Sequence, residues 1–226
     1  MERIKNNTIK RILLTGASGT VGFETLKHLV KDTDHQITVF DVKTRKSMRS
    51  LKPFSGRIEI IYGDINDVQT VEEISKNKDI AIHLAAVIPP LADEDPELAY
   101  QVNVKGTENL ILALEKNSPK CYLLFSSSIS VYGDRLRNPE ISVGDTLRPS
   151  HGDRYGETKI RCEKIIQGSN LSWSIFRLSA IMGNHKISKL MFHMPLETSG
   201  DLYSRGYRTC LCQSHNISGR TQRSDL

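Results

Sequence analysis

Residues 11–22 read RILLTGASGTVG, a short apolar run that passes directly into a TGxxGxxG turn. The run, taken as Lys10–Leu14, has the length and composition of a strand buried on both faces, and the turn opens a helix over Val21–Lys31. Each glycine serves a mechanical purpose, in that Gly16 makes the tight turn, Gly19 lets backbone come close to a pyrophosphate, and Gly22 lets helix pack on strand. Ser18, Thr20 and Val21 complete the turn, where free amides and the positive end of the helix dipole face the phosphates. Asp41 lies 19 residues after Gly22, at the end of the second apolar run. A carboxylate there accepts from both hydroxyls of an adenosine ribose, and its charge repels a 2′-phosphate, which favours NAD over NADP. Lys43, Arg45 and Lys46 follow in a loop and either soften that preference or are solvated surface.

Outward from this turn the chain alternates strand and helix patterns. Gln36–Phe40, Ile58–Tyr62, Asp79–Leu84, Cys121–Ser126 and Ser172–Leu178 are short runs rich in Ile, Val, Leu or Phe. Between them, Val68–Lys76, Glu97–Lys116 and Arg154–Gln167 repeat apolar residues at three- and four-residue spacing. Asp67 is placed to cap the helix after the third strand, Pro96 fits a first helical turn, and Asn117-Ser118-Pro119 ends the long helix. The succession is that of βαβ units: an α/β chain with a Rossmann-type doubly wound parallel sheet.

Composition narrows the partners. The 226 residues carry 31 Lys+Arg against 26 Asp+Glu and are 38% hydrophobic, as in a soluble globular domain rather than a disordered or fibrous chain. The net charge of +5 forms no basic stripe, so nucleic acid gains no support as a partner. No apolar run is long enough for a membrane span or a signal peptide, which makes the cytoplasm the default address. Cys121, Cys162, Cys210 and Cys212 show no metal-ligand or disulfide spacing, so no metal is expected.

Tyr155 and Lys159 lie four apart on the helix Arg154–Gln167 and share one face. They follow Ser126-Ser127-Ser128 at the carboxyl end of the fifth strand, where an open parallel sheet binds its ligands. The types suit hydride transfer coupled to proton transfer. An ammonium at Lys159 is expected to stabilise the Tyr155 phenolate and hold the nicotinamide ribose, while Ser128 orients the substrate oxygen.

Seven motifs now stand in order: TGASGTVG, Asp41, Gly63-Asp64-Ile65, His83-Leu84-Ala85-Ala86, YQVNVKGT at 100–107, FSSSISVYG at 125–133 and YGETK at 155–159. Together they resemble the extended short-chain dehydrogenase/reductase family, in its NAD-dependent epimerase/dehydratase branch, over roughly residues 10–198. The resemblance implies catalysis by Ser128, Tyr155 and Lys159, with NAD as cofactor. It implies that Asp64 and Ile65 contact adenine, that Leu84, Ala85 and Ala86 line the cofactor, and that Asn103 holds the helix shaping the site. His83 is read as a strand-end structural residue, and a homodimer through Glu97–Lys116 and Arg154–Gln167 is implied as well. Nucleotide-sugar members carry Arg-x-x-Asn after strand six; here Arg177 is followed by Ala180 at the asparagine position. That departure leaves room for an alcohol or carbonyl substrate beside a sugar-type one, and the apolar loop Ile88-Pro89-Pro90 near the mouth suits either.

The chain is thus divided into an extension at 1–9, a dinucleotide-binding and catalytic body at 10–199, and an unpatterned tail at 200–226. Back-translated and read one base on, Gly200–Cys212 can give EICTPEDTARAFV, the mark expected of a frame-shifted continuation. Members of this branch run past this length, so an incomplete C-terminal substrate lobe is expected. The functional expectation is a small-molecule oxidoreductase or epimerase, the alternative a truncated or non-catalytic dinucleotide-binding protein.

Overall fold

A computed structural model describes residues 8–135, 139–179 and 181, together with the backbone of Asn216–Ser218. Six parallel strands form the sheet: β1 (Arg11–Thr15), β2 (Gln36–Asp41), β3 (Glu59–Tyr62), β4 (Ile80–His83), β5 (Tyr122–Ser128) and β6 (Ser172–Leu178). A short β7 (Asn216–Ser218) pairs antiparallel with Ser174–Phe176, giving the order β3-β2-β1-β4-β5-β6-β7. The chain winds from β1 out to β3 and then returns to start again at β4. The carboxyl ends of β1 and β4 therefore flank the switch point, where a crevice opens above the sheet.

Period-two alternation splits the core between the two faces of the sheet. Leu13, Phe40, Ala81, Leu123 and Ile175 pack on one side with helix residues such as Leu110, Leu114 and Ile166. Leu14, Val39 and Ile37 face the other way, against Leu26, Val30 and Leu51. The first group is covered by α6 (Gly106–Asn117) and α7 (Arg154–Gln167), the second by α1 (Thr20–Asp32) and α2 (Arg45–Leu51).

The strands fall where the apolar runs place them, shifted by one or two residues at their ends. Asp67 caps α3 (Val68–Ile74) by accepting from the amides of Gln69 and Thr70, and Pro96 occupies the first turn of α5 (Pro96–Ala99). Three local features differ from the sequence reading. Of the basic run after Asp41, Lys43 is in the loop but Arg45 and Lys46 open helix α2, which is started by a reciprocal capping box between Thr44 and Ser47. A short helix α4 (Leu91–Glu94) precedes α5. The segment expected as one helix over Glu97–Lys116 is α5, then a π-helical stretch at Tyr100–Lys105, then α6, with the Gly106 amide donating to the Gln101 carbonyl. At the junction with α6 the Thr107 hydroxyl donates to the Asn103 carbonyl at 2.5 Å. Most of the extension at 1–9, Ala180, and the tail apart from Asn216–Ser218 lie outside the described residues, so the readings made on them stay expectations.

Candidate active site

The glycine turn leaves β1 with Gly16 at φ +73°, a conformation that a side chain would strain. A Cβ on Gly16 would stand 2.6 Å from the Ala85 amide nitrogen, and one on Gly22 would stand 2.1 Å from the Gly16 carbonyl oxygen. Both glycines are required by the protein's own packing. Gly19 differs: a Cβ there would meet only the Gly16 oxygen, at 3.3 Å. It is the N-cap of α1 and supplies no side-chain cap, so the amides of Thr20, Val21 and Gly22 begin the helix with no intrahelical partner. Apart from that oxygen nothing outside the adjoining chain comes within 4 Å of a Cβ at Gly19, so the backbone there can be approached closely.

Asp41 ends β2 facing this turn. One carboxylate oxygen accepts from the Ser18 amide at 2.7 Å and the other from the Val42 amide at 2.8 Å. The side chain is nearly buried and fixed, and each oxygen keeps a lone pair for a further donor. Arg45 and Lys46 are exposed on the first turn of α2, with Lys43 exposed just before it.

The next two expected contacts lie after β3 and β4. Asp64 closes a local turn, accepting from the Asn66 amide at 2.9 Å. Ile65 packs inward instead: it is buried, and a Cβ on Gly106 would come within 2.3 Å of its side chain. Leu84, Ala85 and Ala86 leave β4 half-buried beside Gly16, with the Leu84 amide donating to the Thr15 carbonyl. Asn103 is buried, and its amide works inside the protein. It donates to the Val87 carbonyl at 2.9 Å and the Thr158 hydroxyl at 3.1 Å, and accepts from the Val87 amide at 2.7 Å. Asn103 thereby joins the segment after β4 to α7.

Helix α7 starts at an Asp153 cap, whose carboxylate accepts from the Gly156 amide at 2.7 Å. Tyr155 is half-buried on its first turn, and Lys159, one turn on, is 2% exposed. Lys159 Nζ donates to the Ser126 carbonyl at 2.8 Å and lies 4.7 Å over the Phe125 ring and 5.6 Å over the Tyr155 ring. Burial pulls the Lys159 ammonium down to about 8 and pushes the Tyr155 phenol up to about 12. The Tyr155 direction is opposite to the sequence expectation. Desolvation of the phenol is the leading cause, reinforced by Cys162 and Asp153, while the ammonium is anchored under the ring at Ser126. Ser128 ends β5 and caps the turn Ile129–Tyr132, its hydroxyl oxygen accepting from the Ser130 amide at 3.1 Å.

Two buried polar groupings go beyond the sequence reading. Glu163, one turn beyond Lys159, accepts from the Ser127 hydroxyl at 2.5 Å and binds Arg177 of β6 through both carboxylate oxygens. His83, fully buried, lies between the hydroxyls of Thr15 at 2.7 Å and Thr107 at 3.0 Å, and burial pulls it down to about 3. Polar residues inside otherwise apolar strands were the available signal in both cases.

A doubly wound sheet, a glycine cradle at its switch point and a helix-borne Tyr–Lys pair beside β5 define an extended short-chain dehydrogenase/reductase. Its residues 13–177 match the 3-beta hydroxysteroid dehydrogenase/isomerase family, and the chain belongs to that family. It is 34% identical over 186 residues to a UDP-glucose 4-epimerase of Neisseria meningitidis, covering 75% of this chain and 52% of that protein. It is 27% identical over 158 residues to D-erythronate dehydrogenase of Haemophilus influenzae, covering 69% of this chain and 49% of that one. The Bordetella bronchiseptica enzyme WbmG, solved in complex with NAD, shares the fold with a TM-score of 0.68 at 24% identity, over 80% of this chain and 56% of that one. The chain spans about half the length of the curated relatives it matches. Among the described residues no helix is long and apolar enough to cross a membrane.

Proposed function

We propose that this chain is the NAD-binding and catalytic part of an oxidoreductase or epimerase that moves a hydride at an alcohol or carbonyl carbon of a sugar-type small molecule. The observation that carries the reading is Lys159, which bonds the Ser126 carbonyl of β5 and lies over the Tyr155 ring, at the same carboxyl end of the sheet as the Gly19 turn and Asp41. The relatives add weight from both classes, one named as an epimerase and one as a dehydrogenase.

In this reading the pyrophosphate rests on Gly19, Thr20 and Val21 at the start of α1, and Asp41 accepts from the adenosine ribose. A fixed carboxylate there selects NAD over NADP, since a 2′-phosphate would bring like charge against it. Asp64 and the backbone at Ile65 border the adenine; Leu84, Ala85 and Ala86 form the floor. The bound nicotinamide supplies the hydride acceptor and donor. Tyr155 handles the proton at the substrate oxygen: a phenol held near 12 is protonated at neutral pH, ready to donate to a carbonyl being reduced. In the oxidative direction Tyr155 would first have to give up its own proton to solvent, an ionisation that positive charge from Lys159 and an oxidised nicotinamide would ease, and the phenolate would then take the alcohol proton. Ser128 holds the substrate oxygen beside Tyr155. A homodimer through α6 and α7 belongs to the same reading.

Calorimetric titration with NAD, paired with turnover assays on Tyr155→Phe, tests it. Binding in both forms with turnover only in the wild type is expected; no heat at millimolar NAD, or full activity in Tyr155→Phe, rejects it. Net absorbance from reduced nicotinamide during turnover identifies a dehydrogenase, and its absence an epimerase. NAD binding without turnover in the wild type is the outcome for a dinucleotide-binding protein lacking catalysis.

A further inference from the structure

His83 and Thr15 are register partners in the β1–β4 ladder, directly across the switch point. The imidazole is fully buried, and its polar contacts form a chain whose hydrogen-bond directions can be assigned from the neighbours. The Thr107 hydroxyl donates to the Asn103 carbonyl at 2.5 Å, so it meets His83 Nε2 at 3.0 Å only as an acceptor, and Nε2 must carry the proton. Nδ1 is then an acceptor and takes the Thr15 hydroxyl hydrogen at 2.7 Å. Thr15 Oγ1 in turn accepts from the Ala85 amide at 3.2 Å. Every donor in the sequence Ala85, Thr15, His83, Thr107, Asn103 finds one acceptor, and the alternative tautomer would set two donors or two acceptors face to face.

The two ends of this chain lie on opposite parts of the site. At one end the Ala85 amide nitrogen lies where a Cβ on Gly16 would meet it, at 2.6 Å, so the floor after β4 and the glycine turn are in contact. At the other end, the side-chain amide of Asn103 accepts from the Val87 amide and donates to the Val87 carbonyl and to the Thr158 hydroxyl, which donates to the Tyr155 carbonyl at 2.8 Å. Phe125 adds a second connection: its ring stands 5.6 Å from the His83 ring and carries Lys159 Nζ 4.7 Å from its centroid.

We propose that His83, held as the single Nε2–H tautomer, is a positioning residue that fixes the dinucleotide floor at Ala85–Val87 relative to the helix bearing Tyr155 and Lys159. A structural histidine would only fill space between β4 and α6. Here the ring reads one hydroxyl as acceptor and the other as donor, so its value lies in directionality. The proposal rests on the reading of Ala85 and Ala86 as the floor of a NAD site, but it makes a claim about the cofactor-free protein as well.

The test compares His83→Phe, which keeps a ring and removes both polar atoms, with His83→Gln, whose amide again offers one acceptor and one donor. Ring nitrogen-15 NMR of the cofactor-free wild type is expected to report a protonated Nε2 and a bare Nδ1. Amide exchange at Ala85 and Val87 is expected to quicken about tenfold or more in His83→Phe, with NAD affinity about tenfold weaker, and both to recover to within about threefold in His83→Gln. Thr107→Val, which removes the acceptor and keeps the shape, gives the milder version of the loss should the Phe variant not fold. An Nδ1–H tautomer overturns the proposal. So does His83→Phe or Thr107→Val with unchanged Ala85 exchange and NAD affinity, or a Gln variant no better than Phe. If the wild type binds no NAD, the functional reading fails, while tautomer and amide exchange still decide the role of His83.

Discussion

Glu163 and Arg177 form a bidentate ion pair with almost no solvent: Arg177 Nε meets one carboxylate oxygen at 3.0 Å and Nη2 meets the other at 2.7 Å, with the side chains 1% and 3% exposed. The pair joins α7 to β6 directly beneath the turn that carries Lys159, and Ser127 and Tyr132 fill the remaining positions around it. A buried pair of this kind contributes little net stability against an apolar pair of the same volume, yet breaking it strands a charge. Arg177→Met is therefore expected to cost about 3–5 kcal/mol, because Glu163 keeps its burial and loses its counter-ion. The double variant Glu163→Met/Arg177→Met should recover most of that loss. Chemical denaturation of the four proteins of the cycle measures it, and an additive cycle would contradict the coupling.

Gly19 and Gly22 are expected to separate binding from folding. A Cβ at Gly22 would lie 2.1 Å from the Gly16 carbonyl oxygen, which can retreat only by unpicking the turn, so Gly22→Ala should lower stability by about 2 kcal/mol or more. At Gly19 the backbone has φ −74° and a methyl would meet one oxygen at 3.3 Å, so Gly19→Ala should melt within about 4 °C of the wild type. With the pyrophosphate resting on the Gly19 backbone as proposed, the added methyl should weaken NAD binding at least about tenfold. Thermal melts and calorimetry on the two variants check this; equal NAD affinity in Gly19→Ala and wild type would remove the phosphate from that position.

How far the sequence reaches can be seen from these same residues. The TGxxGxxG turn and the alternating runs specify the sheet, because strand period, helix period and glycine placement agree with one another. Helix α2 escaped because RKSMRSL presents only Met48 and Leu51 as large apolar residues; its start depends on the Thr44–Ser47 capping box rather than on periodicity. The π-helical stretch at Tyr100–Lys105 escaped because it is a matter of backbone pairing, the Gly106 amide reaching the Gln101 carbonyl, which the side-chain pattern does not record. Tyr155 and Lys159 were legible through their spacing, but the direction of the Tyr155 shift was not. Desolvation depends on what the folded chain packs around the ring, and no spacing encodes that.

Lys159 should be a place where function opposes stability. Burial lowers its folded value to about 8 from 10.5, so below pH 8 the ammonium is charged in both states and the fold carries the cost of burying it. That cost is relieved as pH rises from 8 toward 10.5. Lys159→Met, similar in length and apolar, is expected to be more stable than the wild type at pH 7 by about 1–2 kcal/mol, after allowing for the lost bond to Ser126. The advantage should shrink as pH approaches 10.5, and turnover should be abolished throughout. Denaturation at pH 7 and pH 10 reads the difference; a variant less stable at pH 7 than at pH 10 relative to wild type would reverse the sign.

His83 gives the opposite pH window. Its folded value near 3 lies below the ordinary 6.5, with burial as the first cause and the Lys159 charge beyond Phe125 as the second. A depressed value means that the unfolded chain takes up a proton the folded chain refuses, so the contribution is intact above pH 6.5 and is lost as pH falls toward 3. The slope from this one group is at most about 1.4 kcal/mol per pH unit. Carboxylates also titrate in the lower part of that range, so the informative quantity is the difference between the wild type and His83→Gln, which has no proton to gain. Between pH 6.5 and 4.5 the wild type should lose stability faster than the variant, and above pH 7 the two curves should run parallel. Urea denaturation at half-unit intervals measures both. Parallel curves down to pH 4.5 would mean that the imidazole accepts its proton inside the fold, which would also break the hydrogen-bond sequence from Ala85 to Asn103, since a doubly protonated ring has no acceptor left for Thr15.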